Sequence, residues 1–390
     1  MVIFERIIGR ASANSWRFLL PFNSSASAVD FAVVIDIGGI HIMVKRALLA
    51  LFGLMTFSAN AVVILQYHHV SETTPAATSV TPAQFREQMQ FLADDGFKVI
   101  PLTQVVEAIK QKQDLPAKTV AITFDDGYRS IATTAHPILK EFGFPYTLFV
   151  AIEPIKQKFT EMMTWDELVR LSKEGADIAN HSWAHEHLIR RLDNESQAQW
   201  LARVTTNILE TEKALADATG HNFKMLAYPY GEYNQALQDM LTQNGFVAFG
   251  QQSGASGPYS PLTALPRFPV AGQYADLKSL KAKLYSLNMP VLSQNVSDPE
   301  LKNGQWRPEL RLTLDMSDIS AKQVMCYIQG QGAKSPTWLS ETEFSVQADS
   351  ALPAGRSRYN CTAPSKTRNG YYWFSQPWVR PRDDGSWIKE

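Results

Sequence analysis

Thr123-Phe124-Asp125-Asp126-Gly127-Tyr128 ends the apolar run Val120-Ala121-Ile122 in two adjacent carboxylates and a glycine. Adjacent acids repel. At the mouth of a strand the repulsion is tolerable if one carboxylate binds a cation while the other stays free to take a proton. Such a pair needs further ligands from elsewhere in the chain.

Upstream, Val62-Val63-Ile64-Leu65-Gln66-Tyr67 has the length and near-continuous apolarity of a buried strand, and it delivers His68 and His69 at its carboxyl end. Thr81, Pro82 and Gln84 then have the spacing of a capped helix start, with Phe85, Met89 and Leu92 on one face until Gly96. Short strand patterns (98–100, 119–124, 146–150, 176–179, 225–228, 246–249, 265–270) take turns with helical ones (102–112, 131–142, 164–174, 195–219, 235–244, 277–287). This alternation predicts an α/β fold, a parallel sheet wrapped by helices in about seven units. That number suits a deformed (β/α) barrel of the TIM type, though a doubly wound sheet has the same local signature.

In such folds functional groups collect just after the strands. Besides the two acids and the His68-His69 pair, two strand ends are chemically loaded: His181-Ser182-Trp183-Ala184-His185, and Tyr228-Pro229-Tyr230-Gly231. His181 and His185 stand four apart, so a helical turn after the strand would put both imidazoles on one side, able to chelate a divalent ion. Two histidines and one carboxylate leave coordination positions open for water and a substrate oxygen, as metal-assisted hydrolysis needs. His187 reads as a bystander pointing elsewhere, Asp166 as a helix-start residue and Asp177 as a turn residue. Trp183 either lines a site or packs.

The whole chain of 390 residues carries Lys+Arg 37 against Asp+Glu 38, which gives no basic field for nucleic acid. Met43-Val44-Lys45-Arg46, the apolar run 47–57 and Ser58-Ala59-Asn60-Ala61 have the three-part order of a signal peptide cleaved after Ala61. The expectation is an upstream start over 1–42, a signal peptide over 43–61, and an exported protein, periplasmic or secreted, with no integral membrane segment after cleavage. Without residues 1–61 the chain loses five basic and three acidic groups and becomes mildly acidic, 32 against 35. The two cysteines, Cys326 and Cys361, are then expected to pair in an oxidising compartment.

Beyond Pro290 the helical periods vanish and short strand patterns alternate with Gly, Pro, Ser and Asn, predicting a small all-β domain over 290–390 after a catalytic domain over 62–289. Five of the nine tryptophans (Trp306, Trp338, Trp373, Trp378, Trp387) lie in it. Such aromatics pack a small sandwich or, where they face solvent, stack on sugar rings.

Thr-Phe-Asp-Asp-Gly, His-Ser-x-x-His and the Pro-Tyr-Gly loop, in this order over about residues 62–287, resemble the polysaccharide deacetylases of the NodB-homology type. The resemblance implies a deformed barrel with a divalent metal, zinc foremost and cobalt or nickel as alternatives, that removes acetyl groups from N-acetylglucosamine units of a glycan. By the same resemblance Asp126, His181 and His185 are metal ligands, Asp125 is the base that deprotonates the attacking water, and the Tyr230 backbone N–H stabilises the oxyanion. Two family features are missing. Ala227 stands where an arginine usually braces the base, and no Leu-x-His occurs late in the barrel to supply the general acid. Tyr67-His68 resembles the arrangement in the poly-N-acetylglucosamine deacetylase subgroup, which makes His68 the candidate acid; Arg267, in Pro266-Arg267-Phe268-Pro269, is the candidate replacement brace. The alternatives are a non-catalytic glycan-binding protein on a degenerate scaffold, and an O-acetyl esterase or non-sugar amidohydrolase of the same fold.

Overall fold

The structure is a computed structural model and describes residues 32–37, 40–45, 61–113, 115–302 and 304–388. By contact density the chain divides into Met1–Thr56 and Phe57–Glu390. In the first unit, Ala32–Ile37 and Ile40–Lys45 pair as antiparallel strands. The rest of the expected signal peptide up to residue 60 lies outside the described residues.

The second unit is built on a parallel sheet. Its strands are β1 (Val62–Tyr67), β2 (Lys98–Val99), β3 (Thr119–Phe124), β4 (Thr147–Val150), β5 (Asp177–Asn180), β6 (Met225–Ala227), β7 (Val247–Phe249) and β8 (Phe268–Pro269). The spatial order is β7-β6-β5-β4-β3-β1-β8. β2 and β4 share one edge of β3, β2 along Thr119 and Val120 and β4 along Thr123 and Phe124. β1 and β3 are buried at every position, which is why both read as continuous apolar runs rather than alternating ones.

One segment touches both ends of this sheet. Leu265 bridges Phe249 at the end of β7, and three residues later Phe268 pairs with Leu65 of β1. Arg267 sits between these two contacts. The result is the expected α/β arrangement, a half-barrel of parallel strands consistent with a deformed (β/α) barrel.

Helix starts follow the sequence signals. Thr81, Thr164 and Ser196 each close a reciprocal capping box with Gln84, Glu167 and Gln199. Asp166 lies in the first turn behind Thr164, as read, while Asp177 is the first residue of β5 rather than a turn residue. The last helix corrects its expected bounds. It stops at Leu284, and Ser286–Asn288 instead forms a strand parallel to Tyr371–Arg380, because pairing with the C-terminal sheet satisfies backbone groups that another helical turn would have used internally.

The C-terminal region is all-β, with one sheet of five strands and one of four. Cys326 and Cys361 lie opposite each other on neighbouring antiparallel strands and are joined by a disulfide. None of the five tryptophans there is exposed. Trp378 is buried against Tyr359, Trp338 packs on Phe344, Trp373 stands edge-on to Phe268 of the barrel, and Trp306 and Trp387 lie under Arg380 and Arg190. The core-packing reading of these aromatics therefore holds, and the solvent-facing subset is not found. Among the described residues no helix is long and apolar enough to cross a membrane.

Candidate active site

β3 ends by splitting its two acids between different environments. Asp125 keeps an extended strand connection, its N–H donating to the Tyr67 carbonyl, and its side chain is fully buried. Arg267 meets it in a bidentate fork, Nη1 to Oδ1 at 2.7 Å and Nη2 to Oδ2 at 2.8 Å, and Gln66 Nε2 donates to Oδ2 at 2.6 Å. The guanidinium spends its other donors on the Gly250 carbonyl and Thr123 Oγ1. Burial pushes the Asp125 carboxyl up, but the Arg267 charge, with His181 and His68 nearby, outweighs it and the net shift is downward.

Asp126 turns the other way because its backbone is left-handed, φ 73°, followed by Gly127 at φ 95°. Oδ1 comes to 3.1 Å from His181 Nε2 and 3.2 Å from His185 Nε2. The ligand atoms of these three residues all lie within 4.8 Å of one another.

The two histidines do not converge by a helical turn, which corrects the expectation from their spacing. Residues 181–187 are irregular, and Ser182 at φ 67° and His185 at φ 56° bend the chain instead. Side chains around the loop hold that path. Asn180 Oδ1 accepts from the Ser182 N–H, Asn207 Oδ1 from the Trp183 N–H, and Glu186 Oε2 from the Ala184 N–H and the Ser182 hydroxyl. Left-handed non-glycine residues store strain and cluster at functional sites. Asp126 and His185 belong to this class, as do Ser182 in the same loop as His185 and Tyr230 against the His185 ring.

The donor set fits a cation. His181 Nδ1 lies 2.8 Å from the Ala227 carbonyl, an acceptor only, so Nδ1 carries a proton and Nε2 has its lone pair to offer a cation or a second proton; burial lowers the imidazole's pKa, but Asp126 and Asp125 outweigh it and the net shift is upward. That lone pair faces Asp126 Oδ1, and neither atom has a hydrogen-bond partner among the described residues although both are buried. Two buried acceptors face to face are unfavourable unless positive charge lies between them.

His68 and His69 separate clearly. His69 is buried and stacks on Tyr128 with ring centroids 3.6 Å apart, and burial is the main cause of its lowered pKa. His68, half-buried, is the one whose charge acts on both Asp125 and Asp126.

Tyr230, at φ 60° in the Pro229–Gly231 turn, is stacked by His187 at 3.7 Å and met edge-on by His185 at 4.6 Å. His187 is thus no bystander. It joins Tyr230 to Glu232, whose Oε2 lies 2.7 Å from Nδ1. A side chain at Gly231 would strike Gln251 at 2.7 Å, so the turn needs glycine for space as well as for its positive φ. Trp183 packs against the barrel core and lies under Lys156.

A family model described as polysaccharide deacetylase matches residues 112–249. This chain carries a polysaccharide deacetylase domain. The matched segment contains Asp125, Asp126, His181, His185 and Tyr230, whereas His68 and Arg267 lie outside it. The chain is similar to the poly-beta-1,6-N-acetyl-D-glucosamine N-deacetylase of Staphylococcus epidermidis, 26% identical over 241 residues that cover 56% of this chain and 81% of that protein. It is similar also to the Escherichia coli protein of the same name, 24% identical over 54% of this chain but only 37% of that protein's length. Among solved structures, the deacetylase domain shares its fold with Streptococcus pyogenes deacetylase PplD in complex with acetate, at TM-score 0.52 and 21% identity over 58% of this chain and 99% of that one. IcaB from Ammonifex degensii gives TM-score 0.51 and 20% identity over 58% and 97%.

Sequence reasoning missed Gln66, Asn180, Glu186 and Asn207. Gln66 carried one signal, a lone polar residue inside an otherwise apolar buried strand.

Proposed function

We propose that this chain is an exported, metal-dependent de-N-acetylase of an N-acetylglucosamine-containing polysaccharide. The observation that carries the reading is the pair of buried, unpartnered acceptors, Asp126 Oδ1 and His181 Nε2, facing each other beside a separately braced carboxylate. The names of the relatives support the substrate class, and the order basic start, apolar run, Ala-x-Ala supports export to the periplasm or beyond.

In this reading Asp126, His181 and His185 hold the divalent cation, zinc foremost. Bound there, the cation supplies Lewis acidity that polarises an amide carbonyl and acidifies a water. Arg267 keeps Asp125 ionised and oriented, so it can accept the proton of the attacking water. Because the same pairing makes Asp125 a weak base, the acidified water is a requirement of the arrangement. His68, on the neighbouring strand end, donates a proton to the departing amine, and the Tyr230 N–H steadies the developing oxyanion.

Acetate release would be measured from chitooligosaccharides, poly-β-1,6-N-acetylglucosamine and peptidoglycan, with and without Zn²⁺, Co²⁺ or Ni²⁺. Metal-dependent acetate that disappears in Asp125→Asn is the expected result. No metal-dependent acetate from any of them would sink the reading.

A further inference from the structure

The C-terminal sheet reaches the mouth of the barrel through its strand Gly355–Pro364. Arg356 Nη1 donates to the Tyr230 carbonyl at 2.9 Å, and the Tyr230 ring touches His185. The Asp126–His181–His185 cluster is therefore one side chain away from a cleft of about 380 Å³ between barrel and β region. Ser357 and Arg358, next along the same strand, line it too, with Ser357 buried. Gln251, Gln252 and Gln329 supply amides, and among the described residues no lining group is acidic. A second cavity of about 350 Å³ shares Gln252 and Pro377 with the first and continues to Tyr259 and Trp373. The two cavities are neighbours on the seam between barrel and β region.

Amides suit the hydroxyl and acetamido groups of a sugar, and a guanidinium is a permanent cation. Hydrolysis of an acetamido group leaves an amine that is protonated at neutral pH. Such a sugar next to Arg358 meets like charge, whereas an acetylated one is neutral.

We propose that this cleft holds the sugar beside the one being hydrolysed and accepts it acetylated while rejecting it as glucosamine, so that hydrolysed units are kept apart along the polymer. The inference rests on the function proposed above. Its consequence is a product deacetylated in scattered positions, limited by the β region rather than by the metal centre.

The full chain, stripped of metal by chelation, would be titrated with a fully acetylated β-1,6-linked N-acetylglucosamine pentasaccharide and with its counterpart carrying glucosamine at alternate units. About fivefold weaker binding of the second at low salt is expected, shrinking in high salt. Arg358→Glu should bring the two within twofold or reverse them, and Arg358→Gln should fall between. Equal binding by the unmodified protein, or unchanged discrimination in Arg358→Glu, overturns the proposal. Acetate release with metal restored reads the deacetylase function separately, so discrimination without turnover would refute that function and leave the cleft standing as a glycan site.

Discussion

The barrel mouth and the C-terminal sheets differ in how their polar groups are brought together. In the C-terminal sheets the two cysteines are paired, all five tryptophans are packed, and the buried Tyr359 hydroxyl donates to the Pro308 carbonyl. At the barrel mouth, buried acceptors face each other without partners and four non-glycine residues are left-handed. Single buried polar atoms without partners occur in both regions, Trp378 Nε1 and Arg380 Nε among them in the sheets, but at the mouth two of them, Asp126 Oδ1 and His181 Nε2, lie 3.1 Å apart. Such a meeting, held in place by many neighbours, marks a place where positive charge must bind.

The comparison breaks most visibly at Asp126. Asp126→Ala should lower metal-dependent turnover on the order of a thousandfold, because the cation's contribution of several kcal/mol is lost. Removing a buried acceptor that lacks a partner should leave urea stability unchanged or raised, and bound metal counted by elemental analysis should fall to near zero. Retained metal would refute the assigned ligand set.

Arg267→Met strikes the buried ion pair at the mouth. It strands a buried carboxylate and should cost about 3–5 kcal/mol in urea unfolding, the usual penalty for breaking a buried ion pair from one side. A loss under about 1 kcal/mol would mean that Gln66 alone can hold Asp125.

Asp125→Asn should show its defect in a pH-dependent way. The folded-state pKa of Asp125 is depressed, so its stabilisation is present above the ordinary carboxylate pKa and is lost as pH falls through the folded value. The stability gap between the unmodified protein and the variant should thus be widest near neutrality and narrow on acidification. A gap that widens in acid would contradict the ionised Asp125–Arg267 pair.

In the C-terminal sheets, Cys326→Ser with Cys361→Ser should cost about 2–4 kcal/mol, from the chain entropy of a loop closed across 35 residues, without moving metal content. The exposed Tyr371→Ala should stay within about 0.5 kcal/mol.

Much of this site was legible because each group sits next to its own strand in sequence. Asp125-Asp126 follows β3 directly, and His181 follows β5. Arg267 was legible only as a singleton between two prolines. Its role depends on the seam where Leu265 and Phe268 touch opposite ends of the sheet, and it lies 142 residues from the acid it holds. The glycine-like bend at His185 left no trace in the His-x-x-x-His spacing, which fits a helix equally well. Glu186 and Asn207 secure that bend across 21 residues, a contact that no local pattern records.

The sequence by itself determined the α/β alternation, the all-β tail and the acids and imidazoles of the site, because strand and helix periods and strand-end chemistry are local properties. Only the tertiary structure decided how Arg267 and Gln66 grip Asp125, by which backbone bends Asp126 and His185 meet, that His69 is spent on stacking, and that the tail's tryptophans pack against neighbours. Those outcomes turn on backbone sign at single residues and on side chains that meet across more than a hundred positions, where burial makes each pairing count and periodicity carries no information.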